Sequence, residues 1–179
     1  MNIFLPYEDD IIKSVQSLDD VRLNKQILET YQLLTSAIKE KNGEKPDGWY
    51  RHPVYVFYKD NLKFLSFYGY ICGCEYYNRF NKHHSLFKYL HDKCSEMLDI
   101  NAYVNAIENI YSIPNYIPYY MEGSIKDPNH IRTTDNVSAL FQQKLINKWN
   151  NDKAKGRTPK WTNRQVPEFY KKEIINEHK

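Results

Sequence analysis

Read as a helix, the stretch from Leu18 to Leu34 sorts its side chains into two stripes. Leu23, Ile27, Tyr31 and Leu34 share the apolar one, and Arg22, Lys25, Gln26, Glu29 and Gln32 share the other. One helical face then holds two cations, two amides and a single carboxylate. Such a face suits an enzyme that acts on an anionic polymer: the cations hold the backbone, and the acid moves protons or stabilises a sugar cation. The same spacing also fits an ordinary solvated glutamate, with Lys25 and Glu29 forming an i, i+4 pair worth about 0.3–0.5 kcal/mol. Arg22 and Lys25 are likewise open to two readings, as solvated charges or as phosphate clamps beside Glu29.

Two further clusters have chemical potential. Gly48-Trp49-Tyr50-Arg51-His52-Pro53 sets Arg51 and His52 just ahead of a helix that starts at Pro53. That is either a polar loop or a phosphate site at a helix N-terminus. Arg157-Thr158-Pro159-Lys160-Trp161-Thr162-Asn163-Arg164 interleaves cations with an indole. Lys160, Trp161 and Arg164 there fit base stacking with phosphate contact, or a Trp that packs the tail onto the core with cations at its rim. His83, His84, His91 and Cys94 lie close together, with Cys72 and Cys74 upstream, but they match no zinc spacing. No P-loop, GxSxG or dinucleotide fingerprint is present, and neither a metal nor an organic cofactor is expected.

The elements that must position these groups are helical. Ser17 is a candidate N-cap for a helix running to about Ile38, and Asn42-Gly43 ends it. Val54 to Phe80 reads as one long buried helix, with Gly69 and Gly73 permitting close packing. Ser85 to Leu98 and Asn101 to Ile110 read as two more. Pro114, Pro118 and Pro128 make Ser112 to Asp135 a long ordered loop. Helix returns from Asn136 to Trp149, a basic aromatic loop spans Gly156 to Pro167, and a short helix closes the chain. The expectation is an all-α, compact single domain over residues 1–179 with long ordered loops.

The chain has 179 residues, 41% of them apolar, which is enough for one core. A net charge of +3 is compatible with nucleic acid without pointing to it. With 16 Tyr, many must lie near the surface, where they suit base stacking or reflect an AT-rich genome. Three Cys without framework spacing fit reduced thiols. With no signal peptide and no apolar span, the chain is expected in the cytoplasm of a bacterial or virus-infected cell, as a monomer that does not engage membranes.

Taken in order, several of these stretches resemble the pyrimidine-dimer DNA glycosylase (endonuclease V) family. They are Asn2-Ile3-Phe4-Leu5-Pro6, Leu18 to Gln26 with Glu29, Gly48-Trp49 with Arg51-His52-Pro53, and the aromatic helix from Val56 to Phe80. Lys160-Trp161-Thr162-Asn163-Arg164 with Pro167-Glu168-Phe169 is similar to that family's C-terminal segment. Lys82 to Asn129 has little counterpart and reads as an insertion. The resemblance implies a bifunctional enzyme that removes a damaged pyrimidine and then nicks the backbone. Its nucleophile is an N-terminal α-amine, and its acid/base is a helix glutamate, matched here by Glu29. Arg22 falls where the family carries a basic DNA contact, and Lys25, Gln26, Arg51, His52, Lys160, Trp161 and Arg164 complete the expected DNA-binding set.

An α-amine titrates near 8 against about 10.4 for lysine, so about a tenth of it is free base at neutral pH. Attack on the sugar C1′ expels the base and leaves a Schiff base. The family pattern has a small, processed residue after the initiator; here Asn2 follows, so the amine belongs to Met1, or to Asn2 after processing. Lys25 is a fallback nucleophile. Gln32 is neutral where the family carries a cation, which widens the substrate from UV dimers to damaged or modified pyrimidines in duplex DNA. Two rival readings are a non-catalytic DNA-binding module and a hydrolytic glycosylase in which Glu29 activates water and no lyase step follows.

Overall fold

The computed structural model describes residues 3–7, 10–48, 50–98 and 134–177. Among these the chain forms seven helices and no strand: α1 (Ile11–Ser17), α2 (Asp20–Lys41), α3 (Pro53–Tyr58), α4 (Leu62–Phe80), α5 (Phe87–Met97), α6 (Thr134–Ala154) and α7 (Glu168–Glu177). The all-α expectation holds. None of the described helices is long and apolar enough to cross a membrane. The helix expected over Asn101 to Ile110 lies outside the described residues. So does nearly all of the Ser112 to Asp135 loop, although its last two residues already belong to α6.

The boundaries near the candidate site differ from the sequence expectation. Ser17 does not cap α2; it closes α1, where its hydroxyl donates to Ser14 O at 2.7 Å. That first helix was missed, although Asp10 caps it by accepting from Lys13 N at 2.7 Å. Asp19 precedes α2 but its carboxylate makes no capping bond. It accepts instead from Trp149 Nε1 at 2.9 Å and from Arg22 at 3.1 Å.

The long helix expected from Val54 to Phe80 is broken into α3 and α4. Asn61 donates its side-chain amide to Phe57 O at 3.1 Å. A continuing helix would fill that carbonyl with a backbone N–H, and a side chain that competes for it ends the helix.

α4 is the centre of the fold, packed along α2 on one side and α5 on the other, with α1 against it as well. Gly69 and Gly73 make this possible. A Cβ on Gly69 would stand 2.9 Å from both Thr30 and Leu90 side chains, and one on Gly73 would stand 2.3 Å from the Phe87 ring. Leu23, Ile27 and Leu34 of α2 are buried as expected, and Tyr31 is half-buried. One apolar cluster joins Ile3, Phe4 and Leu5, the first five helices, and Phe141, Leu145, Trp149 and Tyr170 from the C-terminal segment. Burying such residues is the main drive holding the two parts of the chain against each other.

The segment after α6 is also fastened by polar bonds. Lys160 O accepts from Asp20 N at 2.8 Å, Trp161 Nε1 donates to Ser17 O at 2.8 Å, and Asn163 donates to Arg79 O at 2.8 Å. Thr162 bonds the Asp20 carboxylate through both its amide and its hydroxyl.

Candidate active site

Glu29 is not on a solvated face. It is 8% exposed, and Gln26, one turn before it, is 1% exposed. The buried arc of α2 is wider than an apolar stripe alone, because the chain start and the C-terminal segment both lie over this edge of it. Phe4 N donates to Gln26 Oε1 at 3.2 Å. A backbone N–H is only a donor, so the oxygen of the Gln26 carboxamide must face Phe4 and its nitrogen faces Glu29. The Gln26 Nε2 to Glu29 Oε2 distance is 3.1 Å.

Tyr68, from α4, completes this arrangement. Its hydroxyl lies 2.9 Å from Gln26 Oε1 and 3.2 Å from Phe4 O, so it donates toward both acceptors. Burial pushes its ionisation well above the ordinary tyrosine range, which keeps it a neutral donor. No motif in the sequence marks Tyr68; only the fold brings it to Gln26.

Around Glu29 lies a cleft of about 200 Å³. Phe4, Val21, Arg22, Lys25 and Gln26 form one wall with it, and Lys148, Asp152 and Arg157 form the other. Lys25 Nζ stands 3.7 Å from Glu29 Oε1 and is 64% exposed, so the i, i+4 pair exists, with its acid buried and its cation at the mouth. Arg22 pairs with Asp19 at 3.1 Å and with Asp152 at 2.5 Å. Burial pushes the pKa of the Asp19 carboxyl above its ordinary range, opposed by its bonds from Trp149 and Arg22. Lys148 and Asp152 were not singled out from the sequence, since one helical turn of Lys-x-x-x-Asp looks like any solvated helix face.

The other expected DNA contacts have varied placements. Met1 and Asn2 lie outside the described residues, as does Trp49. Arg51 is exposed, with its guanidinium 5.2 Å from the Tyr50 ring centre, and it does not line the cleft. His52 caps α3, its Nδ1 accepting from Val54 N at 3.2 Å. Lys160 is exposed. Trp161 packs its ring 5.1 Å from that of Trp149. Arg164 grips Glu75 through Nε and a terminal nitrogen, both at 2.8 Å.

The histidines weighed as metal ligands contact rings: His83 lies 4.6 Å from Tyr77 and 4.7 Å from Phe87, and His84 lies 5.2 Å from Tyr76. All three cysteines are free thiols.

A larger groove of about 450 Å³ lies at the far end of α2, lined by Ala37, Glu40, Lys41 and Lys59 among others. Lys59 Nζ pairs with Glu40 at 2.7 Å, and Tyr55 also donates to Glu40. These partners hold the Glu40 carboxyl below its usual range, with Lys59 the larger influence. An acid paired in this way is a poor proton donor, which leaves Glu29 in the smaller cleft as the candidate acid.

Residues 1–89 match a family model described as pyrimidine dimer DNA glycosylase. The match carries α1 to α4, Gln26, Glu29 and Tyr68, and stops before Lys148, Asp152 and Arg157. It also runs past Lys82, so the stretch read as an insertion begins later than the sequence alone suggested. No curated protein and no solved structure matches the chain. Through residues 1–89, about half of its length, the chain is similar to the pyrimidine dimer DNA glycosylase family.

Proposed function

We propose that the cleft around Glu29 removes damaged or modified pyrimidines from duplex DNA through an amine at the chain start and then cleaves the backbone, the whole of residues 1–179 acting as one domain. The observation that carries this reading is the link from Phe4 through Gln26 to Glu29, at 3.2 and 3.1 Å. Three residues of extended chain reach at most about 10 Å. The Met1 amine is therefore tethered within about that distance of the Phe4 amide, whose partner is also the partner of the acid.

The free amine attacks the sugar C1′, and the glycosidic bond breaks with its electron pair leaving on the base. The carboxylate of Glu29 stabilises positive charge on the sugar. The attached nitrogen then gives up a proton, which Glu29 passes to O4′ as the C1′–O4′ bond breaks, so the ring opens to a protonated imine and Glu29 is again a carboxylate. Glu29 then takes a C2′ proton, and the 3′ phosphate departs. Water finally releases the amine. Arg22, Lys25 and Arg51 hold backbone phosphates, and His52 does so beside the start of α3. Gln26 orients the acid. Lys160 reaches DNA from the loop that Trp161 and Arg164 fasten to the core.

The test uses borohydride on duplex DNA carrying an abasic site or a pyrimidine dimer. A covalent protein–DNA adduct is expected from the wild type. Glu29→Gln should lose base release by at least about a hundredfold and keep duplex binding. A Glu29→Gln variant with the wild-type rate would remove Glu29 from the mechanism. Base release with no trapped adduct would move the reading to a hydrolytic glycosylase, and binding with neither to a DNA-binding module.

A further inference from the structure

Asp152 sits where a helix least favours a carboxylate. It lies in the last turn of α6, where exposed carbonyls carry partial negative charge. Helix stability therefore does not account for it. Its surroundings do: one oxygen is 2.5 Å from an Arg22 nitrogen, and the other is 3.8 Å from an Arg157 nitrogen. Two guanidinium groups on two oxygens of one anion is the arrangement a backbone phosphate takes up between arginines.

We propose that Asp152 occupies the place of a DNA phosphate in the free protein and yields it when a duplex presents one deeply enough to reach both Arg22 and Arg157. The proposal deepens the glycosylase reading, from which it takes only duplex DNA as the ligand.

The geometry around Asp152 is built for such an exchange. Arg22 keeps its second bond, to Asp19, when Asp152 lets go, so its guanidinium stays aimed into the cleft. Arg157 is placed by the way α6 ends. Gly156, with φ of +72°, donates to Lys153 O at 2.9 Å, and Arg157 N donates to Asp152 O at 2.8 Å. This double bond pattern is the common glycine stop of a helix, and it pins the Arg157 backbone beside Asp152. The Arg157 side chain is 67% exposed and free to swing from carboxylate to phosphate. Lys148, one turn back on the same wall, pairs with no carboxylate among the described residues and adds attraction for the incoming anion. A carboxylate here weakens binding to every duplex. It is outweighed only where the backbone bends far enough in, so it favours kinked, damaged DNA over intact DNA.

The experiment measures binding of the full chain to an intact duplex, and to one with a stable abasic analogue, over a range of salt. Asp152→Asn should bind the intact duplex at least tenfold more tightly at low salt. Its slope of log affinity against log salt should steepen by about 0.9, the value for one added phosphate contact. Affinity for the abasic duplex should rise less, so the preference narrows. Adding Arg157→Ala should remove most of the gain. Unchanged or weaker binding of Asp152→Asn to the intact duplex would overturn the proposal and leave Asp152 as a brace for Arg22. Should Asp152→Asn fail to fold, Arg157→Ala alone decides. Its slope on the abasic duplex should fall by about 0.9, and an unchanged slope overturns the proposal. Release of pyrimidine by the wild type is scored separately. Its absence would remove the glycosylase reading and leave the salt slopes to decide on Asp152.

Discussion

The Gln26 carboxamide joins the start of the chain to the buried acid, its oxygen 3.2 Å from Phe4 N and its nitrogen 3.1 Å from Glu29 Oε2. Gln26→Leu keeps the bulk and removes both bonds, together with the one that Tyr68 donates to the same oxygen. Each buried group left without a partner costs about 1–3 kcal/mol, so a clear loss of stability is expected in urea. Single-turnover base release should fall at least about tenfold, the equivalent of roughly 1.4 kcal/mol in the barrier. If Gln26→Leu released base at the wild-type rate while less stable, Gln26 would be a structural residue only.

Arg79 is the pivot of a buried charge network. Its side chain has no solvent exposure, and it bonds Glu75 at 2.7 Å, Leu18 O at 2.8 Å, Asp20 at 3.0 Å and Gln16 O at 3.0 Å. These partners lie on α4 and at the α1–α2 corner, and Glu75 and Asp20 also hold Arg164 and Thr162. A lysine at position 79 offers three donors on one atom and cannot span them. Arg79→Lys should therefore cost about 3–5 kcal/mol, the scale for breaking a buried pair. It should also loosen residues 160–164, read as a change in Trp161 fluorescence under native conditions. A loss under about 1 kcal/mol would show that the network contributes little. Arg164→Ala should cost less, since its side chain is 32% exposed.

Gly73 tests the α4–α5 contact. A methyl there would meet the Phe87 ring at 2.3 Å, and that ring is stacked on His83 and packed by Tyr70. Overpacking costs about 1–3 kcal/mol, against a gain of about 1 kcal/mol from replacing a helical glycine. Gly73→Ala is expected to lower the melting temperature. Adding Phe87→Leu should recover part of the loss by making room. A Gly73→Ala protein that melts higher than wild type would show that α5 shifts freely.

Much of this was legible in the sequence because it depends on neighbours along one helix. The α2 stripe, the Lys25–Glu29 pair, Pro53 at the start of α3 and the close-packing role of Gly69 and Gly73 all follow from spacing. The break at Asn61 was not, because an apolar period continues through it while one side-chain amide decides the backbone. Burial of Glu29 was not legible either, since it depends on Phe4 and Tyr68 arriving from elsewhere in the chain. The second wall was hidden for the same reason: Lys148 and Asp152 are unremarkable on their own helix. The inward grip of Arg164 needed Glu75, which lies 89 positions earlier.

Stability should fall in alkali, and the thiols show where. Burial pushes the Cys94 thiol from its ordinary 9.0 up to about 12, and it raises Cys72 as well. Above pH 9 the unfolded chain releases these protons while the folded chain keeps them. The unfolded state then binds fewer protons, so the free energy of unfolding falls as pH rises. The contribution is complete below pH 9 and is lost from there toward about 12. Tyr68, raised by burial from 10.0, adds a second loss that begins about one unit later. Melting temperature should thus be level near neutrality and decline above pH 9, more steeply above 10. Cys94→Ala removes one thiol, so its decline between pH 9 and 10 should be shallower than that of the wild type, whatever its starting stability. Parallel declines for the two proteins would mean that the folded chain releases the Cys94 proton as readily as the unfolded one.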